Sequence, residues 1–225
     1  MFAKTVTEFF NTIANPVSAF EKIITEKLPV WVPLVIMIFM GVVSTHFTYD
    51  VSMDMQKELL EYNDDIPEDQ ADMAMEQMDK MKEPPLRYVF YGVPLITIPI
   101  IYALMAVFFL LVGNFVLGGK ATFGEIFGVA VFAGSISVIQ WLIQIIYVLV
   151  TGTGPLITSP AAFLPLSDYY TTLYKLLSTL DIFVIWYLVV AGLGLKVLYK
   201  FKTAKAMIIP FGLYALYIII FKVIF

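Results

Sequence analysis

The sequence predicts an all-α polytopic integral membrane protein: five transmembrane helices, preceded by amphipathic helices and carrying an acidic helical hairpin outside the membrane. Three observations predict it. Of 225 residues, 60% are hydrophobic and only 14% are charged, against about 45–50% and about 25% in a soluble domain. Five apolar stretches approach or exceed the ~20 residues that a helix needs to cross a bilayer. The charge is also segregated. Positions 50–83 hold twelve of the eighteen acidic residues and three of the fourteen basic ones, so this segment carries −9 and the remainder +5.

These numbers exclude a disordered chain, which needs low hydrophobicity and high charge, and leave too few charges to cover a soluble domain of this size. No basic patch is dense enough for a nucleic-acid partner. Cysteine is absent, which excludes disulfides, thiolate metal sites and cysteine nucleophiles.

Residues 1–28 read as one region of amphipathic, interfacial helices, and residues 29–225 as the five-span domain. In the first helix Phe2, Val6, Phe9, Phe10 and Ile13 share a face, with Lys4, Thr7, Glu8 and Asn11 opposite. Asn15 and Pro16 read as an N-cap and a first helical proline. A second helix follows, with Val17, Phe20, Ile24 and Leu28 on one side. Such helices lie in the lipid interface or pack on the protein's own spans. Residues 1–28 hold neither an unbroken apolar core nor an A-x-A-like cleavage site, so the first span is expected to remain as an anchor.

The spans are expected at 29–47, 89–117, 126–150, 181–195 and 206–224. The fourth is short, and is expected to begin earlier, within the stretch Leu173 to Leu180. Pro94 and Pro99 are expected to kink the second. Eight lysines fall in short segments on the N-terminal side, at positions 4, 22, 27, 120, 196, 200, 202 and 205. The positive-inside rule then puts the N-terminus in the cytoplasm and the C-terminus outside.

Residues 48–87 read as the hairpin. Val51, Met55, Leu59 and Tyr62 keep helical spacing, Asn63 to Pro67 break it, and Ala71, Ala74, Met75, Met78 and Met81 resume it until Pro84 and Pro85. Met73, Met75, Met78 and Met81 form M-x-M-x-x-M-x-x-M, soft ligands that suit Cu(I). Packing is the more economical use of Met75, Met78 and Met81, so no metal and no cofactor is expected.

The third span is the most polar. Ser137, Gln140 and Gln144 share a face, and Asn114 near the end of the second span is a candidate to join it. Buried amides at this depth serve as interhelical glue or line a polar cavity. His46, Glu125 and Asp181 lie at span ends, away from the bilayer centre where coupled transport places its ionisable groups. Asp181 reads as a helix N-cap. The single histidine rules out H-E-x-x-H, and neither G-x-S-x-G nor a P-loop occurs; an enzyme is not expected.

The segments 117–136 (LGGKATFGEIFGVAVFAGSI) and 176–209 (LLSTLDIFVIWYLVVAGLGLKVLYKFKTAKAMII) resemble the Yip family, five-span membrane proteins named for interaction with Ypt/Rab GTPases. The resemblance is carried by Gly118, Gly119 and Phe123, by Asp181, Phe183 and Trp186, and by the basic turn at 196–205. NPVSAFEKI before the first span resembles the prokaryotic branch. The resemblance implies five spans, a cytoplasmic N-terminus and a bacterial or archaeal cytoplasmic membrane. Eukaryotic relatives serve vesicle traffic and contact prenylated GTPases. Residues 1–28 carry neither their long cytoplasmic region nor their DLYGP-like stretch.

The expected function is that of a non-catalytic scaffold, partner-binding or membrane-organising protein. Its expected partners are membrane lipids and a protein at the membrane, with homo-oligomerisation left open. The alternative is a small transporter or channel for a neutral or lipid-like solute, built on the polar face of the third span.

Overall fold

In the computed structural model, which describes residues 1–63 and 65–224, every regular element is helical. Asp64, part of the expected hairpin break, and Phe225 lie outside the described residues. The helices are α1 (Phe2–Ala14), α2 (Pro16–Thr25), α3 (Trp31–Glu61), α4 (Glu68–Lys82), α5 (Leu86–Leu110), α6 (Phe123–Ala133), α7 (Ser135–Thr151), α8 (Thr172–Ser178), α9 (Ile182–Tyr199) and α10 (Thr203–Ile218).

Four helical stretches are long and apolar enough to cross a membrane: Trp31–Glu61, Leu86–Val116, Phe123–Thr151 and Ile182–Tyr199. The fifth expected span is α10, only 16 residues of α-helix continued by wider π turns over Ile219–Ile224. The outward side of α5 bears Leu95, Ile96, Ile100, Leu104, Val107 and Phe108, all exposed. A greasy face of this length is stable only against lipid.

Three boundaries differ from expectation. No breaker lies between Phe47 and Tyr62, so α3 leaves the membrane as one rod and becomes the first arm of the hairpin; span and hairpin are continuous. The third span is divided at Gly134. Its N–H bonds to Val131 O at 3.0 Å and its carbonyl accepts from Ser137 N at 3.0 Å, both one residue tighter than α-helical bonds. The fourth span does not begin within residues 173–180. Helix α8 is separate, and α9 starts at Ile182 because the Asp181 carboxylate accepts from Phe183 N (2.9 Å) and Val184 N (3.1 Å). The extra length lies at the other end, where α9 runs to Tyr199 and stops at Lys200 in a left-handed turn, φ 55°. Pro94 and Pro99 both lie within α5, which continues through them.

The core joins α3, α5, α6, α7 and α9 around Met37, Ile126, Phe132, Ile136 and Leu195. Helices α1 and α2 pack on this bundle rather than only on lipid: Phe9 and Phe20 are fully buried within it. The buried side of α1 differs from the apolar stripe. Thr5, Glu8, Phe9 and Thr12 turn inward, while Phe2 (59% exposed) and Phe10 (41%) turn out. Glu8, 4% exposed, turns in because α2 supplies its partner. Lys22 Nζ donates to Glu8 Oε1 at 2.8 Å and Asn11 Nδ2 to Oε2 at 3.1 Å.

Burial pushes the Glu8 carboxyl up, but the hydrogen bonds from Lys22 and Asn11 and the charges of Lys22 and Lys4 outweigh it, so its pKa is lowered. A depressed carboxyl stabilises the fold fully above its ordinary value, 4.5, and the contribution disappears as pH falls through the folded value. Glu8→Gln should therefore lower the thermal midpoint of the detergent-solubilised chain at neutral pH, by about 1.5–3 kcal/mol of stability. The gap from wild type should narrow as pH falls below 4.5 and close once pH has passed the lowered folded value; a gap independent of pH would contradict this account.

Candidate functional site

Two residues of the third span's polar face, Ser137 and Gln140, line clefts that meet at Gln140. Ser137 Oγ lies 3.2 Å from the Tyr102 hydroxyl of α5. Tyr102 packs edge-on against Tyr187 of α9, ring centroids 6.1 Å apart, and the Tyr187 hydroxyl donates to Met105 Sδ at 3.3 Å. These groups and Gln140 line an intramembrane cleft of about 230 Å³. Gln140 also lines a second cleft, of about 490 Å³, on the hairpin side, with Tyr174, Lys175, Asp181 and Lys222. Gln144 lies one helical turn further along. Its Nε2 is buried with no hydrogen-bond partner among the described residues, a state that costs about 1–3 kcal/mol. Of the expected polar face, then, Ser137 is tied to a neighbouring helix, Gln140 lines both clefts, and Gln144 holds a buried Nε2 with no partner among the described residues.

The division of the third span at Gly134 exposes a carbonyl that α1 uses. Thr12 Oγ1 lies 3.2 Å from Phe132 O and 2.6 Å from Ser135 Oγ, in a buried cluster bridging residues 123 positions apart. A β-carbon at Gly134 would sit 2.4 Å from Met37 Sδ and 2.6 Å from the Tyr102 hydroxyl, so glycine permits three helices to meet there.

Asn114 is not part of the third-span face. It lies at the opposite end of the bundle, in the π turns Leu111–Val116 that close α5. Asn114 Nδ2 donates to Ala121 O at 2.8 Å, and Oδ1 accepts from Ala121 N at 3.2 Å and from the Tyr199 hydroxyl at 2.8 Å. Gly119 N donates to Gly113 O at 2.8 Å. Tyr199 stacks on Phe201, centroids 4.9 Å apart, and Lys205 Nζ stands 4.1 Å above the Phe201 ring. One knot thus ties the end of α5, the loop before α6 and the lysine-rich turn after α9.

On the hairpin, Met75, Met78 and Met81 are half-buried between α4 and its surroundings, while Met73 is 60% exposed. Met78 and Met81 line a cleft of about 460 Å³ with Tyr49 and Met53. Among the described residues no group of three or more His, Asp or Glu is arranged to hold a metal. Ion pairs Arg87–Asp50 (2.7 Å), Lys82–Asp54 and Lys57–Asp79 brace the two arms against each other and against α5.

The Yip1 domain matches residues 10–224, nearly the whole chain. The chain belongs to the Yip family. No curated protein and no solved structure matches it. As a Yip-family protein with several membrane-length apolar helices it is an integral membrane protein whose spans contact lipid.

The residues that carry the Yip resemblance fall into two sets. Gly118, Gly119 and Phe123 belong to the knot and the start of α6. Gly118 takes φ +70°, Gly119 faces Tyr199, and Phe123 stacks on Phe127 at 5.7 Å. Thr122 and Glu125 form a capping box that starts α6 beside them. Asp181, Phe183 and Trp186 belong to the opposite end: Asp181 caps α9, Phe183 lines the intramembrane cleft and Trp186 packs against the core. Sequence reasoning missed Glu8, Thr12, Tyr102, Tyr187 and Tyr199. The tyrosines carried one legible signal, since a tyrosine deep in a span needs a partner for its hydroxyl.

Proposed function

We propose that this Yip-family protein is a non-catalytic membrane scaffold that recruits a protein partner through its acidic hairpin. The observation that carries the reading is the state of the hairpin's carboxylates. Glu58, Glu61, Asp65, Glu68, Asp69, Asp72 and Glu83 are exposed and form no ion pair among the described residues. The hairpin's lysines are instead used up, Lys57 and Lys82 between the arms and Lys80 on Glu76 of its own helix. Self-repulsion would splay such a surface, yet two ion pairs join its arms and a third ties it to α5, which suits a preformed docking surface for a basic partner. The excess of lysine in short segments supports a cytoplasmic N-terminus and a hairpin and C-terminus outside, in a bacterial or archaeal cytoplasmic membrane. The α1–α2 pair, with Phe2 and Phe10 turned outward, then lies at the inner face.

Affinity purification of the full chain from its native membranes, beside a variant carrying E58Q, E61Q, E68Q, D69N and D72N, tests the reading. A stoichiometric partner with a basic face should copurify with the wild type at low salt and be lost at high salt. It should be absent from the variant. Recovery of no partner, or of one indifferent to both salt and the substitutions, would overturn it.

A further inference from the structure

We propose that the clefts at the hairpin side of the bundle form one site for a lipid with an anionic headgroup, its head between Lys175 and Lys222 and its acyl chain in a groove between α5, α9 and α10. The site is built from three cavities that share walls. The first, of about 490 Å³, holds Lys175, Lys222, Asp181 and Gln140. The second, about 230 Å³, shares Gln140 with it. The third, about 510 Å³, shares Met105, Val184 and Tyr187 with the second and continues along Phe109, Pro210 and Leu213.

Polarity falls along this route. The first cavity is lined by charges and tyrosine, the second by Ser137, Gln140 and apolar side chains, the third almost wholly by hydrocarbon and aromatic rings. The third also opens sideways to lipid, because Phe108 and Leu216 on its rim are each 50% exposed. A water-soluble ligand gains nothing from such a groove, whereas an amphiphile matches both ends.

Charge selects the head. Asp181 is already neutralised: Oδ1 accepts from two N–H groups at the start of α9 and Oδ2 accepts from the Thr158 hydroxyl. Lys175 and Lys222 have no ion pair among the described residues, so the cavity is left with two ammonium groups to meet an anion. The groove wall is held independently, by the Tyr214 hydroxyl donating to Thr179 O at 2.7 Å. The order also matches a bilayer. The head cavity borders the residues 156–159 and α8 outside the spans, and the groove descends along α9 and α10.

Native mass spectrometry of the full chain in detergent, with phosphatidylglycerol and phosphatidylcholine of identical acyl chains, tests the proposal. Wild type should retain phosphatidylglycerol about tenfold to thirtyfold better, as two lysines acting on a net negative head provide, since the choline ammonium cancels the phosphate charge of phosphatidylcholine. The variant K175Q/K222Q, altered only in polar side chains, should hold both lipids equally at the weaker level. Leu216→Trp, which narrows the groove from its exposed rim, should weaken both lipids alike. Glycerol 1-phosphate, the head without a tail, should displace neither. Equal retention of the two lipids by wild type, or a preference that survives K175Q/K222Q, would overturn the proposal. Displacement by glycerol 1-phosphate would also overturn it, by making the site one for a small free anion.

Discussion

Asn114→Ala should lower the stability of the detergent-solubilised protein by about 3 kcal/mol, the effect of breaking a cluster of hydrogen bonds that leaves polar groups behind. For a chain of this size that is a fall of about 6–12 °C in the thermal midpoint. Asn114 satisfies both the N–H and the carbonyl of Ala121 and accepts from Tyr199. Alanine there leaves two backbone groups and one hydroxyl without partners, at the point where α5 gives way to wider turns. Tyr199→Phe removes one of the three bonds and should cost about 1 kcal/mol. The two substitutions share a hydrogen bond, so the double variant should cost less than the sum of the singles. An Asn114→Ala protein as stable as wild type would show that the knot does not hold the bundle's end together.

The second large effect separates two adjacent glycines. A β-carbon on Gly119 would lie 2.5 Å from two ring carbons of Tyr199 and 2.8 Å from the carbonyl oxygen of Gly113. Backbone cannot step aside, and Tyr199 is held by Asn114 on one side and by stacking on Phe201 on the other. Gly119→Ala should cost about 2–3 kcal/mol by overpacking. Gly118 meets nothing within 4 Å but takes φ +70°, so Gly118→Ala should cost only the left-handed penalty, about 1–2 kcal/mol. Truncation of Tyr199 to alanine should relieve part of the Gly119→Ala penalty and none of the Gly118→Ala penalty. Thermal unfolding of the two glycine variants, of Tyr199→Ala and of the two double variants reads this directly. Equal costs at both positions, with no relief by Tyr199→Ala, would refute the close-packed knot.

These two results bear on what the glycines that carry the Yip resemblance do. Gly118 and Gly119 stand side by side in the sequence, yet one is required by backbone conformation and the other by the ring of a residue 80 positions away. The pair lets the loop before α6 close against the lysine-rich turn after α9. That closure fixes the bundle at the end opposite the hairpin, the clefts, Lys175 and Lys222.

What the sequence determined by itself follows from short-range physics. Apolar run length marks where the chain must enter lipid, and those stretches became α3, α5, α6–α7 and α9. Asp181 was legible as a cap because a carboxylate just before an apolar run satisfies N–H groups two and three residues ahead. The acidic hairpin was legible because charge of one sign cannot enter the membrane beside it. Only the tertiary structure decided which polar groups meet. Glu8 reads as solvent-facing on its own helix and is buried because Lys22 of the next helix reaches it. Asn114 reads as a candidate to join the polar face of the third span, yet its partners are Ala121 and Tyr199. Thr12 finds Ser135 across 123 residues. Hydrophobic transfer depends on composition and length, which are local, whereas a buried hydrogen bond depends on where a distant partner arrives, and that is set by packing.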